Sequence, residues 1–266
     1  MARLGHRLAG FGVVIALAAL ASPAAFGDDP KPTGKALEYQ TAVEAHLSVR
    51  DTGALAADVA SIAKYAPQAS DANERSLLLN LVGRACAVND DPLRLACLKA
   101  FQEMKDPAAW KYFDTMLVQN DPKRMDPMLQ AVIDTCAVLT PEGAALKLIN
   151  IYRDSDSLPA CIACLKALCK YKQSKQRADI LFAIIDEPKS VKPGAFGRAG
   201  ALHKKGRTGE AARTRWDGLS GPAVEAANTL TGQSIGTIDD WIKTITDMKS
   251  ELASCFLEPL EKKKSP

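Results

Sequence analysis

Helix-starting signals recur along this chain at nearly regular intervals, and their spacing constrains the fold more than any other feature. Each signal holds an Asp, Ser or Thr that can cap a helix, often with Pro at the first helical position. They are NDDP, KDP, NDP, TPEG, SDSLP, DEPKSVKPG and SGP, between residues 89 and 222. Apolar residues recur at helical spacing between them, as in 91–104 and 157–171. Since no segment shows sustained strand alternation, the sequence predicts an all-α fold.

The breaks group the helices into antiparallel pairs that repeat roughly every 33 residues, inside the range of helical arrays. The predicted pairs are 51–66 with 70–88, 91–104 with 107–119, 123–139 with 141–153, and 157–171 with 174–187. ACLKAF at 96–101 returns as ACLKAL at 163–168, an offset of 67 residues. Pairs this short cannot bury an apolar face alone, so neighbours must stack. We therefore expect an α-solenoid over residues 51–260, preceded by an N-terminal segment, 28–50, with a capping helix.

One helix start resembles a known repeat. Asp91-Pro92-Leu93-Arg94, followed by Ala96, Ala100 and Phe101, is similar to the first helix of a HEAT repeat. This resemblance implies that Asp91 caps its helix and that Arg94 reaches the neighbouring repeat. It also implies a right-handed superhelix of stacked helix pairs.

The stretch LTGQSIGTIDDW, residues 230–241, has two interpretations, a phosphate-binding loop or a joint between helices. Its glycines, Gly232 and Gly236, are four apart and no Lys follows, so the features of a phosphate loop are missing. The stretch resembles the closing repeat of exported bacterial HEAT proteins. We expect Gly232 to end one helix in the left-handed conformation, Thr237 to cap the next, and Trp241 to lie on the apolar side.

The first 27 residues have the pattern of a signal peptide. Arg3, His6 and Arg7 precede the apolar run at 11–21, and small residues stand before the junction after Gly27. The alternative is an uncleaved anchor, but the run is shorter than the roughly 20 residues of a spanning helix. The sequence therefore predicts an exported protein, periplasmic or extracellular, with no transmembrane segment after cleavage.

Charge and histidine content exclude several kinds of site. Without the signal, 32 basic side chains face 31 acidic ones, so nucleic-acid binding is not expected. EKKK lies in the terminal segment 261–266 and is interpreted as a solvated tail. Only His46 and His203 remain after cleavage, and both are interpreted as surface or helix-end residues. With common catalytic motifs also missing, we expect no catalytic residues, metal or cofactor.

The cysteines offer two candidate pairs. Cys86 and Cys97 flank a predicted turn, so a hairpin could bring them together as a disulfide, or both could be small core residues. Cys161 and Cys164 form a C-x-x-C spacing at a predicted helix start, where a thiol pKa is lowered. Leu165 stands where haem attachment requires His, and no second pair completes a zinc site. Core packing is favoured over redox chemistry.

These features predict a non-catalytic exported scaffold that binds a protein or peptide along its concave face. Trp110, Lys111 and Tyr112 are the candidate anchors, because aromatic side chains are typical of interfaces. Core packing is the alternative for Trp110 and Phe113, which share a helical stripe. The alternative function is an enzyme or thiol-redox accessory protein that uses Cys161 and Cys164.

Overall fold

The structure, a computed structural model, describes residues 34–69, 71–119, 124–192 and 209–247, all within one unit of the chain, Pro32–Pro266. The described residues are helical and include no strand, which confirms the predicted all-α fold. The helices are α1 Lys35–Val49, α2 Thr52–Tyr65, α3 Ala72–Cys86, α4 Asp91–Met104, α5 Trp110–Phe113, α6 Met116–Gln119, α7 Pro127–Leu139, α8 Glu142–Asp154, α9 Leu158–Leu168, α10 Arg177–Val191, α11 Gly209–Thr231 and α12 Ile238–Asp247. Among them none is both long and apolar enough to span a membrane.

Several predicted features lie outside the described residues. They are the signal peptide at 1–27, the tail at 261–266 and His203. Cys255 also lies outside the described residues. The N-terminal segment contributes α1, which packs against α2 and α3. His46 lies in the last turn of α1, and its Nδ1 is 2.7 Å from Asp58 Oδ2.

Polar caps begin most of these helices, as the break pattern predicts. The side chains of Asp51, Asp90, Asp126 and Ser157 each accept a hydrogen bond from the backbone N–H three residues later. In α4 the cap is Asp90 and Asp91 is already the first helical residue. The role that the HEAT resemblance implies for Asp91 is therefore wrong by one position, because the extended backbone at Asp90 suits the cap.

The helices contact one another in two rows. In the first row α2 packs against α4, α4 against α7, α7 against α9 and α9 against α11. In the second row α1 packs against α3, α3 against α5, α8 against α10 and α10 against α12. Between the rows, the close pairs of consecutive helices are α1 with α2, α3 with α4, α8 with α9 and α10 with α11.

The predicted helix pairs start one helix too late. The prediction paired 157–171 with 174–187, whereas α9 packs closely against α8 before it and α10 against α11 after it. The break signals mark where helices begin but not which neighbour shares the larger apolar face. The break predicted at SGP is also wrong, because α11 continues through Pro222. Helix α10 passes Pro188 but ends at Val191, inside the break predicted at 186–194.

The predicted joint at 230–241 is confirmed. Gly232 has φ +76° and its N–H donates to the Asn228 carbonyl, 2.8 Å away. Thr237 Oγ1 accepts a hydrogen bond from the Asp240 N–H at 3.1 Å, and α12 follows. The Trp241 ring is 1% exposed, and its Nε1–H donates to Asn228 Oδ1 at 3.0 Å. The joint thus attaches α12 to the common apolar core.

Candidate functional site

Trp110 and Tyr112, the predicted anchors, pack against neighbouring helices. The Tyr112 ring lies against Gly83 of α3 and stacks on Phe101 with ring centroids 6.0 Å apart. The Trp110 ring lies against Gly143 of α8, where an added Cβ would be 2.7 Å from Nε1. Phe113, which shares the stripe with Trp110, is buried. Both half-buried rings therefore hold α5 between α3 and α8. Their packing agrees better with the core-packing alternative than with exposed anchors.

Lysine side chains lie over both rings. Lys111 Nζ is 4.8 Å from the Tyr112 ring centroid, and Lys147 Nζ is 5.1 Å from that of Trp110. Lys147 also donates to the Asp114 carbonyl at 3.0 Å. These cation–π contacts cover ring surface that a partner would use. Lys111 is the exposed member of the predicted trio.

A cavity of about 520 Å³ lies near the first turns of α4 and α7, and we call it the α4/α7 groove. Its volume is typical of ligand pockets, which hold roughly 300–1,000 Å³. Its apolar lining comes from α4, α6 and α7, namely Pro92, Leu95, Met116, Pro127 and Met128. Its polar lining is Asp91, Arg94 and Asp126.

The groove offers one donor that lacks a partner. Arg94 Nε is buried and has no hydrogen-bond acceptor in the described part of the chain, while Arg94 Nη1 is 3.9 Å from Asp91 Oδ1. Asp126 already accepts the Leu129 N–H at 2.7 Å. Pro127 at the first position of α7 has no N–H to offer an anion. The site therefore suits an apolar group beside a carbonyl acceptor better than a phosphate.

Cys161 and Cys164 are both fully buried in α9. Cys161 lies in the first turn, as predicted, and its thiol donates to the Tyr152 carbonyl at 3.4 Å. Burial, with Cys161 and Cys136 nearby, raises the pKa of Cys164 well above the ordinary thiol value. Reactive thiols are exposed and have a lowered pKa, so this geometry favours packing over redox chemistry.

Cys86 and Cys97 lie together across the hairpin of α3 and α4. Their thiols are hydrogen-bonded to each other, both are fully buried, and both are free thiols in this structure. The hydrogen bond lowers the pKa of Cys86 and raises that of Cys97. The hairpin thus brings together the two residues that the sequence offered as a candidate disulfide.

A buried ionic network links three helices, and no sequence pattern predicts it. Arg215 of α11 is 4% exposed, and its Nε donates to Glu187 Oε1 of α10 at 2.6 Å. Its other nitrogens donate to the carbonyls of Tyr152 at 2.6 Å and Ser155 at 2.8 Å, at the end of α8. Burial lowers the pKa of Arg215, but Cys161 and Glu187 raise it more, so the guanidinium stays charged. The network closes the end of α8.

The buried thiols predict that stability falls above about pH 8.5, the ordinary pKa of a thiol. Burial raises the pKa of both Cys136 and Cys164 in the folded chain. The unfolded chain then loses these protons at lower pH than the folded chain, so stability decreases as the pH rises. Each thiol should lower the free energy of unfolding by about 1.4 kcal/mol between roughly pH 7 and 9.5.

Urea denaturation in reductant at those two pH values measures the effect. The Cys164→Ala variant should lose less stability between them than the wild-type chain. An equal loss in both proteins would contradict the assignment to this thiol.

No protein-family model, curated protein or solved structure matches this chain. The resemblance to HEAT repeats therefore stays a prediction, and the functional interpretation depends on the geometry above. Among the described residues no group of three or more His, Cys, Asp or Glu could hold a metal ion. The α4/α7 groove is the described feature whose shape and chemistry best fit a ligand.

Proposed function

We propose that this chain is an exported, non-catalytic helical scaffold that binds a protein or peptide partner in the α4/α7 groove. The observation that carries the proposal is the groove itself, a cavity with both apolar and charged lining, together with an Arg94 Nε–H that has no partner among the described residues. The predicted signal peptide at 1–27 supports export to the periplasm or the outside of the cell.

A HEAT-like solenoid is the architecture that we propose for this scaffold. The two rows of contacting helices support it, because each helix packs mainly against helices close to it in the chain. Arrays of this kind turn in a right-handed superhelix and present a concave face, and the groove would form part of that face. If Asp91–Arg94 begins a HEAT repeat, as the resemblance implies, the groove would lie where one repeat meets the next.

A peptide fits the chemistry of the groove. Thioether side chains adapt to varied apolar groups, and Met116 and Met128 both line the cavity. A backbone carbonyl of the peptide would accept a hydrogen bond from the Arg94 guanidinium, whose side chain is 23% exposed. Lys111, exposed on the short helix α5, would lie at the margin of the binding surface rather than at its centre.

An enzymatic or thiol-redox function is less well supported. Cys161 and Cys164 are both fully buried, and the Cys161 thiol donates a hydrogen bond to the Tyr152 carbonyl. A nucleophilic thiol needs access to its substrate and a lowered pKa. Neither condition is met by Cys164, whose pKa is raised.

Site-specific crosslinking in the cell envelope tests the proposal. A photoreactive benzoylphenylalanine replaces Met128 in the groove, and a matched control replaces Val138, which lies on the same helix and is 47% exposed. We expect a discrete protein adduct at position 128 that is missing at position 138. The Arg94→Met substitution, which removes the free donor, should reduce its yield about tenfold, equivalent to one charged hydrogen bond.

Two outcomes would overturn the proposal. One is the same set of adducts at positions 128 and 138, which would indicate nonspecific contact. The other is an adduct at position 128 whose yield does not change with Arg94→Met, because the groove donor would then have no role in binding.

A further inference from the structure

Cys86 and Cys97 are two fully buried free thiols on consecutive helices, α3 and α4. Cys86 is the last residue of α3, and Cys97 lies in the middle of α4. The two helices pack closely against each other as consecutive members of the fold. A disulfide requires two cysteines whose backbones lie close together, and the packing of α3 against α4 with both thiols fully buried favours this.

The other described thiols have different partners. Cys161 donates to the Tyr152 carbonyl at 3.4 Å and lies 3.4 Å from Arg215 Nη1. Cys169 donates to the Lys166 carbonyl at 3.1 Å. Cys161 and Cys164 lie three positions apart on one helix, so a bond between them would act within α9 and not between elements.

We propose that Cys86 and Cys97 form a disulfide that joins α3 to α4 when the chain meets a disulfide oxidant. The thiolate of Cys86 attacks one sulfur of the oxidant, and the other sulfur leaves as a thiolate. The Cys97 thiol then loses its proton, and its sulfur attacks Cys86 in the mixed disulfide and releases the second thiolate. The chain loses two electrons and two protons, and the oxidant is reduced to two thiols.

The local chemistry favours Cys86 as the attacking group. The hydrogen bond from Cys97 stabilises the Cys86 thiolate, and the positive charge of Arg94 adds to this effect. Both sulfurs are fully buried, so the reaction takes place while the hairpin folds or during local opening. Oxidation of the folded chain is therefore slow, and the buried disulfide, once formed, is shielded from reductants.

The disulfide would also stiffen one wall of the α4/α7 groove. Arg94 and Leu95 line the groove and lie between the two cysteines in the chain. Closing the loop of residues 87–96 restricts the unfolded chain and holds the first turns of α4 against α3. This inference does not depend on the proposed partner, since the thiols react in the free chain.

Peptide mapping of the full chain tests the proposal. The chain is refolded with glutathione disulfide, free thiols are alkylated, and the protein is digested with trypsin without reduction. Cleavage after Arg84, Arg94 and Lys99 yields peptides 85–94 and 95–99, each with one cysteine. We expect these two peptides as one linked species, lighter than their sum by two hydrogen atoms, and separated by reductant.

Thermal unfolding gives a second measurement. The oxidised chain should unfold roughly 5–10 °C above the reduced chain. The Cys86→Ala and Cys97→Ala variants should each lose both the linked peptide and the shift, while Cys164→Ala keeps both. Full alkylation of Cys86 and Cys97 after oxidation would overturn the proposal, and so would linkage of either one to Cys136 or Cys164. Both outcomes are measured on the wild-type chain, so they count even if an alanine variant does not fold.

Discussion

We expect the Arg215→Ala substitution to lower the free energy of unfolding by about 3–5 kcal/mol, the usual loss when one partner of a buried ion pair is removed. The guanidinium donates to Glu187 and to the carbonyls of Tyr152 and Ser155, all at 2.6–2.8 Å. Its removal takes the Arg215 cation away from the buried carboxylate and leaves the two carbonyls at the end of α8 without this donor. Three helices, α8, α10 and α11, lose their common contact at once.

Urea denaturation followed by circular dichroism measures the change. Arg213→Ala is the matched control, because Arg213 lies on the same helix with a side chain 78% exposed and a 3.9 Å contact to Asp217. The control should change stability by no more than about 0.5 kcal/mol. Equal losses in the two variants would show that the buried network contributes no more to the free energy of unfolding than the exposed Arg213 contact.

A double substitution separates charge from packing. Replacing both partners, Arg215→Met with Glu187→Leu, removes the buried charges and keeps most of the apolar volume. Its stability should exceed that of Arg215→Ala, since paired charges replaced together need no desolvation. If it is as unstable as Arg215→Ala, the carbonyl contacts at the end of α8 outweigh the ion pair.

Trp241→Ala should lower the free energy of unfolding by about 3–5 kcal/mol, as is typical for a buried aromatic side chain. The ring is 1% exposed and joins α12 to the apolar core. Its Nε1–H also donates to Asn228 Oδ1, and the Asn228 amide holds the Ile235 backbone through two further hydrogen bonds. Loss of the ring therefore weakens both the helix and the joint before it.

Hydrogen exchange locates this effect. Amides of α12 should exchange much faster in Trp241→Ala, while those of α2 and α4 change little. Trp241→Phe keeps a buried aromatic ring but loses the Nε1–H and part of the indole volume, so its cost should be about 1–2 kcal/mol, less than that of Trp241→Ala. Unchanged exchange in α12 would mean that other contacts hold this helix in place.

Helix starts could be predicted because their signal is local. A capping side chain such as Asp90 or Asp126 and the proline after it act within one turn. Helix continuity depends on distant contacts instead. Pro222 removes only one N–H from the ladder of α11, and packing against α9 and α10 more than compensates. The ends at Arg50 and Lys105, with φ of 55° and 54°, also lack the glycine that usually marks them.

The candidate site could be predicted only in part. The groove collects residues from the starts of two helices and from α6, and no spacing along the sequence identifies such a meeting point. Arg215 and Glu187 are two charges among many, so their pairing needs the fold. One signal was available for Trp110 and Tyr112, because Gly83 and Gly143 within predicted helices leave room for a ring to pack.

The two rows of helices also determine how the chain can reach its folded state. Most helix contacts join elements that follow each other closely, such as α3 with α4 or α8 with α9. Such contacts close short loops, and folding rates rise as the average loop shortens. Assembly can therefore begin at any hairpin and spread towards both ends. Arg215 is an exception, since it binds carbonyls some sixty positions earlier and completes its network only after α10 and α11 have docked.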